Sequence, residues 1–390
     1  MNYDKLLNQT LRELKPSGIR KFFDIASEME DVISLSVGEP DFATPWHIRQ
    51  EGINTLETRK TVYGPNAGLL RLRQAIGNYV ERHLHVTYQP KDEILVTVGG
   101  SEAIDLTLRA LVNPGEEVLI PQPSFVCYEP LARMAGGVPI PLVTRAEDAF
   151  RLTPEALRAA ITPRTKLLVL PFPNNPTGGV MRRSHLEAIA SVLRDTDIMV
   201  LSDEIYAELT YGEEKHVSIA SLPGMQERTI LVNGFSKAFA MTGWRLGYAC
   251  GPKPVMKHIV KLHQFSIMCA PMTAQYAAIE AMENGEEDVI RMRGEYDLRR
   301  RYLLDRLNGM GLDCFEPEGA FYAFPSVQRT GLTSDEFCEK LLGEKRVAVV
   351  PGTAFGDCGQ GFLRISYCYS LNHLAEGMDR MEAFLQDHGV

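Results

Sequence analysis

Five side chains that can take part in chemistry stand at the ends of short apolar runs in the sequence. Ser101 follows EILVTV, Phe125 follows EVLIP, Asn175 follows KLLVLPF, Asp203 ends DIMVLSD and Lys237 follows RTILVNG. Each run is rich in Val, Ile and Leu and closes near Gly, Pro or Asp, which is typical of a buried strand. Ligands bind beyond the carboxyl ends of the strands in an open parallel sheet, so the five residues are predicted to meet in one crevice.

The types of these residues indicate what the crevice binds. A lysine amine condenses with a carbonyl group to form a Schiff base, and neighbouring cations or desolvation favour this by lowering its pKa. Arg245 supplies a cation eight residues after Lys237. Residues 99–101 (GGS) open a predicted helix, whose free N–H groups favour a phosphate. A carboxylate such as Asp203 keeps a pyridine nitrogen protonated, so that the ring withdraws electrons from a carbanion. Together these features predict a site for pyridoxal phosphate.

Strands and helices alternate in the region that must position these residues. The predicted strands are 93–98, 117–121, 166–172, 197–203, 228–234 and 244–251. Helix-like segments lie between several of them, including 101–111, which ends at the stop signal NPG, and 184–193. This alternation predicts an α/β fold with a mostly parallel sheet covered by helices on both faces.

The pattern changes after about residue 284. A charged helix over 287–307 precedes GLDCFEPEGAFYAFP, which predicts a hairpin-like pair of strands. A helix over 334–342, the strand-like VAVVPG and GFLRISY and a closing helix over 371–385 follow. We therefore predict a large cofactor-binding domain over 46–284 and a smaller α+β domain made from 1–45 and 285–390.

The composition excludes several classes of protein. The chain has 390 residues, of which 45% are hydrophobic and 23% charged, and its net charge is −9. This charge, without a basic stripe, argues against nucleic acid as a partner. The seven cysteines form an odd number without a CxxC, which favours a reducing compartment. No apolar run approaches the ~20 residues that span a bilayer, so we expect a cytoplasmic protein without a membrane partner.

Several familiar signatures are absent from the sequence. GxGxxG, GxxxxGK[ST] and HExxH do not occur, and His83 with His85 alone makes a poor metal site. A nicotinamide dehydrogenase, a P-loop enzyme and a zinc protease therefore lose their main support, and no metal is expected.

At this point the sequence resembles the class I/II aminotransferases, which are fold-type I pyridoxal-phosphate enzymes. The resemblance extends over nearly the whole chain and is closest to the aromatic and broad aspartate-type branch. Its motifs are VGEPDF (37–42), YGPNAG (63–68), VTVGGSEA (96–103), NNPTGG (174–179), SDEIY (202–206), NGFSKAFAMTGWRLGY (233–248), EGAFYAFP (318–325) and RISY (364–367). It implies a fold-type I enzyme of two domains that works as a homodimer.

The resemblance implies catalytic and ring-binding roles for residues of these motifs. Lys237 would hold the cofactor as a Schiff base and then move the proton between the substrate α-carbon and the cofactor. Asp203 would pair with the pyridine nitrogen, and Tyr206 and Asn175 would hydrogen-bond the phenolic oxygen. Phe125 would stack on the ring.

The resemblance also implies how the phosphate and the substrate are held. The residues implied around the phosphate end of the cofactor are Gly100, Ser101, Glu102, Ser236 and Arg245. Tyr63 would reach the phosphate of the neighbouring subunit, which requires a dimer. Arg364 would bind the substrate α-carboxylate as a bidentate pair, assisted by Asn175 and the Gly38 backbone.

Taken singly, many of these residues have structural explanations. Asp203 could simply cap the following turn, and Asn175 could simply initiate a turn. Arg364 could belong to an edge-strand ion pair. The joint spacing of the motifs favours the site.

Three positions depart from the family pattern. Phe125 stands where many relatives carry Trp or Tyr, and Gly234 replaces a hydroxyl that contacts phosphate in others. Ser101 stands where some aspartate-preferring relatives have a lysine for the distal carboxylate, so aromatic substrates gain over dicarboxylates. Side-chain specificity is expected to depend on Ile19, Phe23, Tyr63 and Phe321.

The predicted activity is ping-pong transfer of the α-amino group of an aromatic or aspartate-type amino acid to 2-oxoglutarate, within amino-acid metabolism and biosynthesis. The alternatives are a lyase or synthase on the same scaffold, such as a C–S β-lyase, and an N-acetyl-diaminopimelate-type aminotransferase. A non-catalytic regulator is disfavoured because the catalytic residues are all retained.

Overall fold

Short strands form three sheets in the part of the chain that the computed structural model describes, which is residues 1, 3–14, 16, 18 and 29–389. Numbered along the chain, the strands are β1 (Ile33–Ser34), β2 (Ile94–Thr97), β3 (Glu117–Gln122), β4 (Val138–Val143), β5 (Thr165–Pro171), β6 (Met199–Asp203), β7 (Thr229–Gly234), β8 (Gly247–Cys250), β9 (Tyr322–Ala323), β10 (Val347–Ala348), β11 (Val350–Pro351) and β12 (Leu363–Ser366).

The largest sheet has seven strands in the order β2-β8-β7-β6-β5-β3-β4. Strands β3 to β7 pair in parallel, and β8 is antiparallel to both of its neighbours, β2 and β7. The predicted mostly parallel sheet is therefore confirmed. Because β8 is antiparallel to both β2 and β7, these two strands run in the same direction. The carboxyl end of β2 therefore lies at the same edge of the sheet as that of β7.

Strand β4 was absent from the sequence prediction. Its sequence, VPIPLV, contains two prolines, which cannot donate to a strand on each side. It lies at the sheet edge and pairs with β3 alone, where proline is tolerated.

Except for α1, which has no buried residues, the helices contribute buried side chains to the apolar cores. In chain order they are α1 (Gln9–Glu13), α2 (Trp46–Glu57), α3 (Leu70–Leu84), α4 (Gly99–Leu111), α5 (Tyr128–Met134), α6 (Pro154–Ala160), α7 (Arg183–Leu193), α8 (Lys253–Ser266), α9 (Met272–Asn284), α10 (Glu286–Gly309), α11 (Ser334–Lys345) and α12 (Leu371–Asp387). None of the helices in the described residues is both long and apolar enough to cross a bilayer.

Both faces of the central strands are covered, which explains their continuous apolar sequences. In β5, Leu167 and Val169 pack on the side that carries α4 and α8, whereas Leu168 and Leu170 pack on the side that carries α7. All four side chains are almost fully buried. A strand between two helical layers needs apolar residues at every position rather than at alternate ones.

The segment GLDCFEPEGAFYAFP does not form the predicted hairpin-like pair of strands. Its regular part is β9 alone, and a single antiparallel bridge joins Cys314 to Pro325. The backbone of Glu318 and Ala320 bonds instead to residues 209–211, so this stretch is pinned to the loop after β6 rather than to itself.

One of the two smaller sheets joins segments from both ends of the described chain, and the other is formed by C-terminal segments. Strand β1 pairs in parallel with β10, and β11, β12 and β9 form an antiparallel sheet. Ile33 and Leu35 share one apolar core with residues of α10, α11 and α12. The division into domains 46–284 and 1–45 with 285–390 stays a prediction.

Candidate active site

A cavity of about 780 Å³ lies at the sheet edge where the parallel strands end. It is lined by the predicted site residues except for Glu102 and Tyr63. The predicted residues in its lining are Gly38, Gly100, Ser101, Phe125, Asn175, Asp203, Tyr206, Ser236, Lys237, Arg245 and Arg364. Ser101, Phe125, Asn175, Asp203 and Lys237, which follow or end strands, thus meet in one crevice as predicted.

Some predicted residues lie elsewhere. Tyr63 is 84% exposed and faces away from the interior of its own chain. Phe321, expected to influence specificity, is fully buried with its ring centre 5.4 Å from Lys237 Nζ, and its neighbour Tyr322 is the one that lines the cavity. Ile19 and Phe23 lie outside the described residues.

Lys237 is held at the cavity by the loop after β7. Its Nζ donates a hydrogen bond of 2.6 Å to the carbonyl oxygen of Gly38. Burial lowers the pKa of Lys237 to about 8, and the cations of Arg364 and Arg245 act in the same direction. An uncharged amine is therefore accessible near neutral pH, which both imine formation and proton abstraction require.

Asp203, the last residue of β6, presents a buried carboxylate. Its Oδ2 accepts a hydrogen bond of 2.7 Å from the Tyr128 hydroxyl, and its Oδ1 accepts one of 3.2 Å from the Ile205 N–H. Burial nevertheless raises the pKa of Asp203 to about 6, with Glu204 adding to the rise. A cationic partner in the cavity would stabilise this carboxylate and offset the cost of its burial.

Arg364, on β12, is fixed on three sides. Its Nη1 donates to Asn175 Oδ1 at 3.0 Å, and its Nη2 donates to the Ser36 carbonyl oxygen. The guanidinium carbon lies 4.6 Å from the ring centre of Tyr322 and 4.9 Å from that of Phe355. Its Nε is buried and has no partner among the described residues. This orphaned donor indicates that the guanidinium is prepared for an anion.

Two tyrosines occupy the wall between Lys237 and Arg364. The hydroxyl groups of Tyr206 and Tyr322 are 2.9 Å apart and form a hydrogen bond. Lys237 Nζ lies 5.7 Å from the ring centre of Tyr206. Burial raises the pKa of both tyrosines, so both hydroxyls keep their protons at neutral pH.

Close backbone packing shapes the first turn of α4. Gly99 has φ +74°, and a Cβ there would lie 2.6 Å from Arg245 Nη2. Gly247 of β8 is equally close to its neighbour, which here is backbone, since a Cβ would meet the Gly100 nitrogen at 2.6 Å. The glycines thus let Arg245 and the free N–H groups of the helix start face one small volume, which suits a phosphate.

The side chain of Glu102 points away from this volume. Its Oε2 accepts a hydrogen bond of 2.5 Å from the Val98 N–H, and its Oε1 lies 2.8 Å from Nδ1 of the fully buried His263. The carboxylate therefore braces the start of α4 from behind.

Gly234 has a steric reason to lack a side chain. A Cβ there would lie 3.1 Å from Gly247 Cα, the Leu246 carbonyl oxygen and Ile205 Cδ1, which is tighter than most contacts. Close contact between β7 and β8 thus takes the space of the hydroxyl-bearing side chain that the family resemblance leads us to expect at this position.

Sequence reasoning missed Tyr128 and Tyr322. Tyr128 follows Phe125 by three residues, but nothing in that spacing indicates that its hydroxyl reaches Asp203 on another strand. The run FYAF predicts alternation, but not which of Phe321 and Tyr322 faces the cavity. The sequence shows that both residues carry a hydroxyl group, but not where that group points.

The residues present fit an aromatic aldehyde that carries a phosphate and a basic ring nitrogen. A lysine of lowered pKa, a buried carboxylate and a glycine-lined helix start with an arginine converge on one cavity of an α/β sheet. The fold and the site thereby define the class of enzymes that activate amino acids through a lysine-bound cofactor.

Comparison with known proteins identifies the family. The family described as Aminotransferase class I and II matches residues 30–381. The chain belongs to this family and is an aminotransferase-type enzyme that depends on pyridoxal phosphate. The predicted fold class, enzyme class and cofactor are confirmed.

Individual relatives align along nearly the whole chain. An aspartate aminotransferase of Pyrococcus abyssi is 47% identical over 98% of this chain and 98% of its own length. Aromatic-amino-acid aminotransferase 2 of Thermococcus litoralis is 45% identical over 98% of both chains. The crystal structure of Pyrococcus protein-A1 matches with a TM-score of 0.96 and 47% identity, over 97% of this chain and 98% of that one.

Proposed function

We propose that this enzyme transfers the α-amino group of aromatic amino acids, within a broad range of amino acids, to 2-oxoglutarate by a ping-pong mechanism. The observation that supports it best is the shared cavity, which Lys237, Asp203 and Arg364 all line. Lys237 follows β7, Asp203 ends β6 and Arg364 lies on β12. Each of the three provides one function that a transaminase needs: a nucleophile and base, a ring partner and a carboxylate anchor.

When bound, pyridoxal phosphate supplies an electron sink that makes the substrate α-proton acidic. Asp203 would hold the ring nitrogen in its protonated form, and Tyr128 would keep the Asp203 carboxylate oriented and ionised. Tyr206 and Asn175 would bind the phenolic oxygen, and Phe125 would cover the ring. Together these residues would hold the cofactor in the cavity that Lys237 also lines.

The phosphate would be held at the start of α4. Arg245 supplies a cation, and Gly100, Ser101 and Glu102 supply backbone N–H groups, with Ser236 beside them. Binding energy at this end would anchor the cofactor, which leaves its other end free for chemistry.

Lys237 Nζ would take the proton from the substrate α-carbon and deliver it to the aldehyde-derived carbon of the cofactor. A pKa of about 8 suits this role, because the amine binds a proton readily yet is uncharged in a useful fraction near neutral pH.

Arg364 would bind the α-carboxylate with Asn175 and the Gly38 backbone beside it. Its unpartnered Nε and its flat, packed guanidinium favour a bidentate pair.

The charges in the cavity support an aromatic or neutral side chain over a second carboxylate. Among the described lining residues, the cations are Lys237, Arg245 and Arg364, and each has a role already. Ser101 supplies no charge, and Glu39 would repel an anion. The exposed Gly243 also lines the cavity, and the second carboxylate of 2-oxoglutarate would reach solvent on that side.

We also propose a cytoplasmic homodimer that acts in amino-acid biosynthesis. Exposed large apolar side chains, including Trp46, Tyr63 and Phe265, support an interface between two copies. The seven free thiols support a reducing compartment.

Substitution of Lys237 tests the proposed chemistry. Lys237→Ala should reduce turnover at least about a thousandfold because the base is lost, while cofactor binding and the fold persist. Lys253→Ala, which removes an exposed lysine, should keep wild-type activity. Wild-type-like turnover in Lys237→Ala would refute the assignment.

A half-reaction screen tests the substrate. Each amino acid is mixed with the holoenzyme, and conversion of the cofactor from aldehyde to amine is followed by absorbance. Phenylalanine and tyrosine should react faster than aspartate, and added 2-oxoglutarate should yield glutamate. Release of pyruvate and ammonia instead would indicate a lyase, and reaction with N-acetyl-diaminopimelate alone would indicate that narrower aminotransferase.

A further inference from the structure

Tyr322 contacts three parts of the candidate site at once. Its hydroxyl lies 2.9 Å from that of Tyr206, and its ring centre lies 4.6 Å from the guanidinium carbon of Arg364. Its hydroxyl also fills the space above Gly38, where a Cβ would lie only 1.8 Å away. The side chain is 1% exposed and lines the cavity.

We propose that Tyr322 is a positioning residue with two separable functions: its hydroxyl directs the proton of Tyr206 towards the cofactor, and its ring fixes the guanidinium of Arg364 for the substrate carboxylate. This inference rests on the proposed function, because it depends on the roles of Tyr206 and Arg364.

The hydroxyl function follows from the count of protons. Each tyrosine has one O–H donor and can accept at its oxygen. If Tyr322 donates to Tyr206, the Tyr206 proton is free to point into the cavity, and the chain of two hydrogen bonds strengthens its donation. The reverse direction would consume the proton that the cofactor's phenolic oxygen needs.

The position of Arg364 supports the first direction. Its guanidinium carbon lies 4.6 Å from the ring centre of Tyr322. A cation beside a phenol favours the ionised form and so makes that hydroxyl a stronger donor.

The ring function follows from the surroundings of Arg364. Its two Nη atoms are fixed by Asn175 and Ser36, but hydrogen bonds in the guanidinium plane do not prevent tilting of that plane. Aromatic rings within 5 Å, those of Tyr322 and Phe355, restrict the tilt and attract the cation. A bidentate pair with a carboxylate requires a fixed plane.

Two substitutions separate the functions. Tyr322→Phe removes the hydroxyl and keeps the ring, whereas Tyr322→Leu removes both. In Tyr322→Phe holoenzyme, the midpoint of the pH titration of the cofactor's visible absorbance should move about 0.5 unit or more to higher pH. A phenolic oxygen that loses donation becomes a stronger base, so the neighbouring proton on Nζ is released at higher pH. The KM for the amino acid should stay within about threefold of wild type.

Tyr322→Leu should show the same shift and, in addition, raise KM about tenfold, as expected when a desolvated cation loses an aromatic contact. If this variant does not fold, Tyr322→Trp tests the ring, since it keeps an aromatic face without the phenol and should retain KM better than it retains the wild-type titration.

Two further variants serve as controls. Tyr211→Phe removes another buried hydroxyl, which donates to the Ala320 carbonyl outside the cavity, and should leave both titration and KM unchanged. Tyr206→Phe should shift the titration further, and adding Tyr322→Phe to it should give no additional shift, because Tyr322 acts through Tyr206.

The outcomes distinguish this inference from the proposed function. If wild-type holoenzyme fails to convert its cofactor with any amino acid, the proposed function is wrong and the inference falls with it. If the wild type transaminates but Tyr322→Phe titrates like wild type, or the two tyrosine substitutions shift the midpoint additively, the hydroxyl function is wrong. A KM in Tyr322→Leu equal to that in Tyr322→Phe overturns the ring function.

Discussion

At the scale of single residues, the site depends on groups that control the protonation of others. Asp203 is an acid whose burial raises its pKa to about 6, and the Tyr128 hydrogen bond limits that rise. Without Tyr128, the carboxylate would be protonated over more of the physiological range. The phenol thereby keeps the ring partner charged.

Replacement of Tyr128 should change the pH profile. Tyr128→Phe removes a donor that favours the charged form, so the pKa of Asp203 rises and its carboxylate is protonated at higher pH. A bound pyridinium lowers that pKa in both proteins, so the difference keeps its sign. The acid limb of the half-reaction rate, measured between pH 5 and 9, should move upward by about one unit.

The matched control is Tyr79→Phe. Tyr79 is likewise buried and donates to a carboxylate, that of Glu208, away from the cavity. It should leave the acid limb in place. An acid limb that moves equally in both variants, or in neither, would contradict the role of Tyr128.

Residues at strand ends could be predicted from sequence, whereas their supports could not. Lys237, Asp203 and Asn175 follow apolar runs, and the topology of a parallel sheet brings such positions together. Tyr128 and Tyr322 act through contacts between segments far apart in the chain, at 75 and 116 residues of separation. Such contacts depend on packing that no local pattern records.

At the scale of elements, the start of α4 depends on the strand beside it. Gly247 of β8 packs directly on the backbone of residues 99 and 100, and Glu102 braces the same turn through His263. The N–H groups that we propose to bind phosphate are therefore held by two neighbours, β8 and α8.

Substitution of Gly247 should disturb this arrangement. In Gly247→Ala the new Cβ meets backbone at 2.6 Å, so either β8 or α4 must move. We expect a loss of about 1–3 kcal/mol in stability and at least about tenfold weaker cofactor binding, measured by thermal denaturation and by fluorescence titration of the apoenzyme.

Gly294→Ala on α10 is the corresponding control. It adds the same methyl group where nothing lies within 4 Å, and alanine in a helix is more favourable than glycine by about 1 kcal/mol. This variant should be slightly stabilised with unchanged cofactor affinity. If Gly247→Ala bound the cofactor as tightly as the wild-type protein does, the close packing would have no role in phosphate binding.

Element types could be predicted more reliably than their pairing. The apolar runs of β5, β6 and β7 identified buried strands, because two covered faces leave no polar positions. The two prolines of β4 prevented its prediction as a strand, although an edge strand tolerates them. The backbone of residues 318–320 pairs with the loop at 209–211 rather than with the nearest segment in sequence.

At the scale of the whole molecule, Tyr63 is a predicted site residue that does not line the cavity of its own chain. It is 84% exposed, although the resemblance implies a contact with phosphate. The proposed homodimer resolves this, because each cavity would receive Tyr63 from the other subunit.

Mixed dimers test the sharing of sites. Tyr63→Phe and Lys237→Ala subunits, unfolded together and refolded, should form hybrids in which one cavity combines the intact Lys237 with the intact Tyr63 of the partner. Activity should exceed that of the two variants assayed separately, approaching half the wild-type value per hybrid dimer. Simple averaging of the two activities would mean that Tyr63 serves its own subunit or none.

The fold class and the cofactor could be predicted from sequence because motifs along the chain report on both. Substrate preference could not, since it depends on the cavity wall, where Tyr322 rather than Phe321 is present, and on residues a partner would bring.

The contact between Ser36 and Arg364 affects the order in which the proposed site can form during synthesis. Strands β2 to β8 end at residue 250, so the segments that carry Asp203, Lys237 and Arg245 leave the ribosome well before β12 does. The Ser36 carbonyl that accepts from Arg364 lies 328 residues before it, so this contact forms only when translation is nearly finished. We therefore expect the residues proposed to hold the cofactor to come together before the proposed carboxylate anchor is complete.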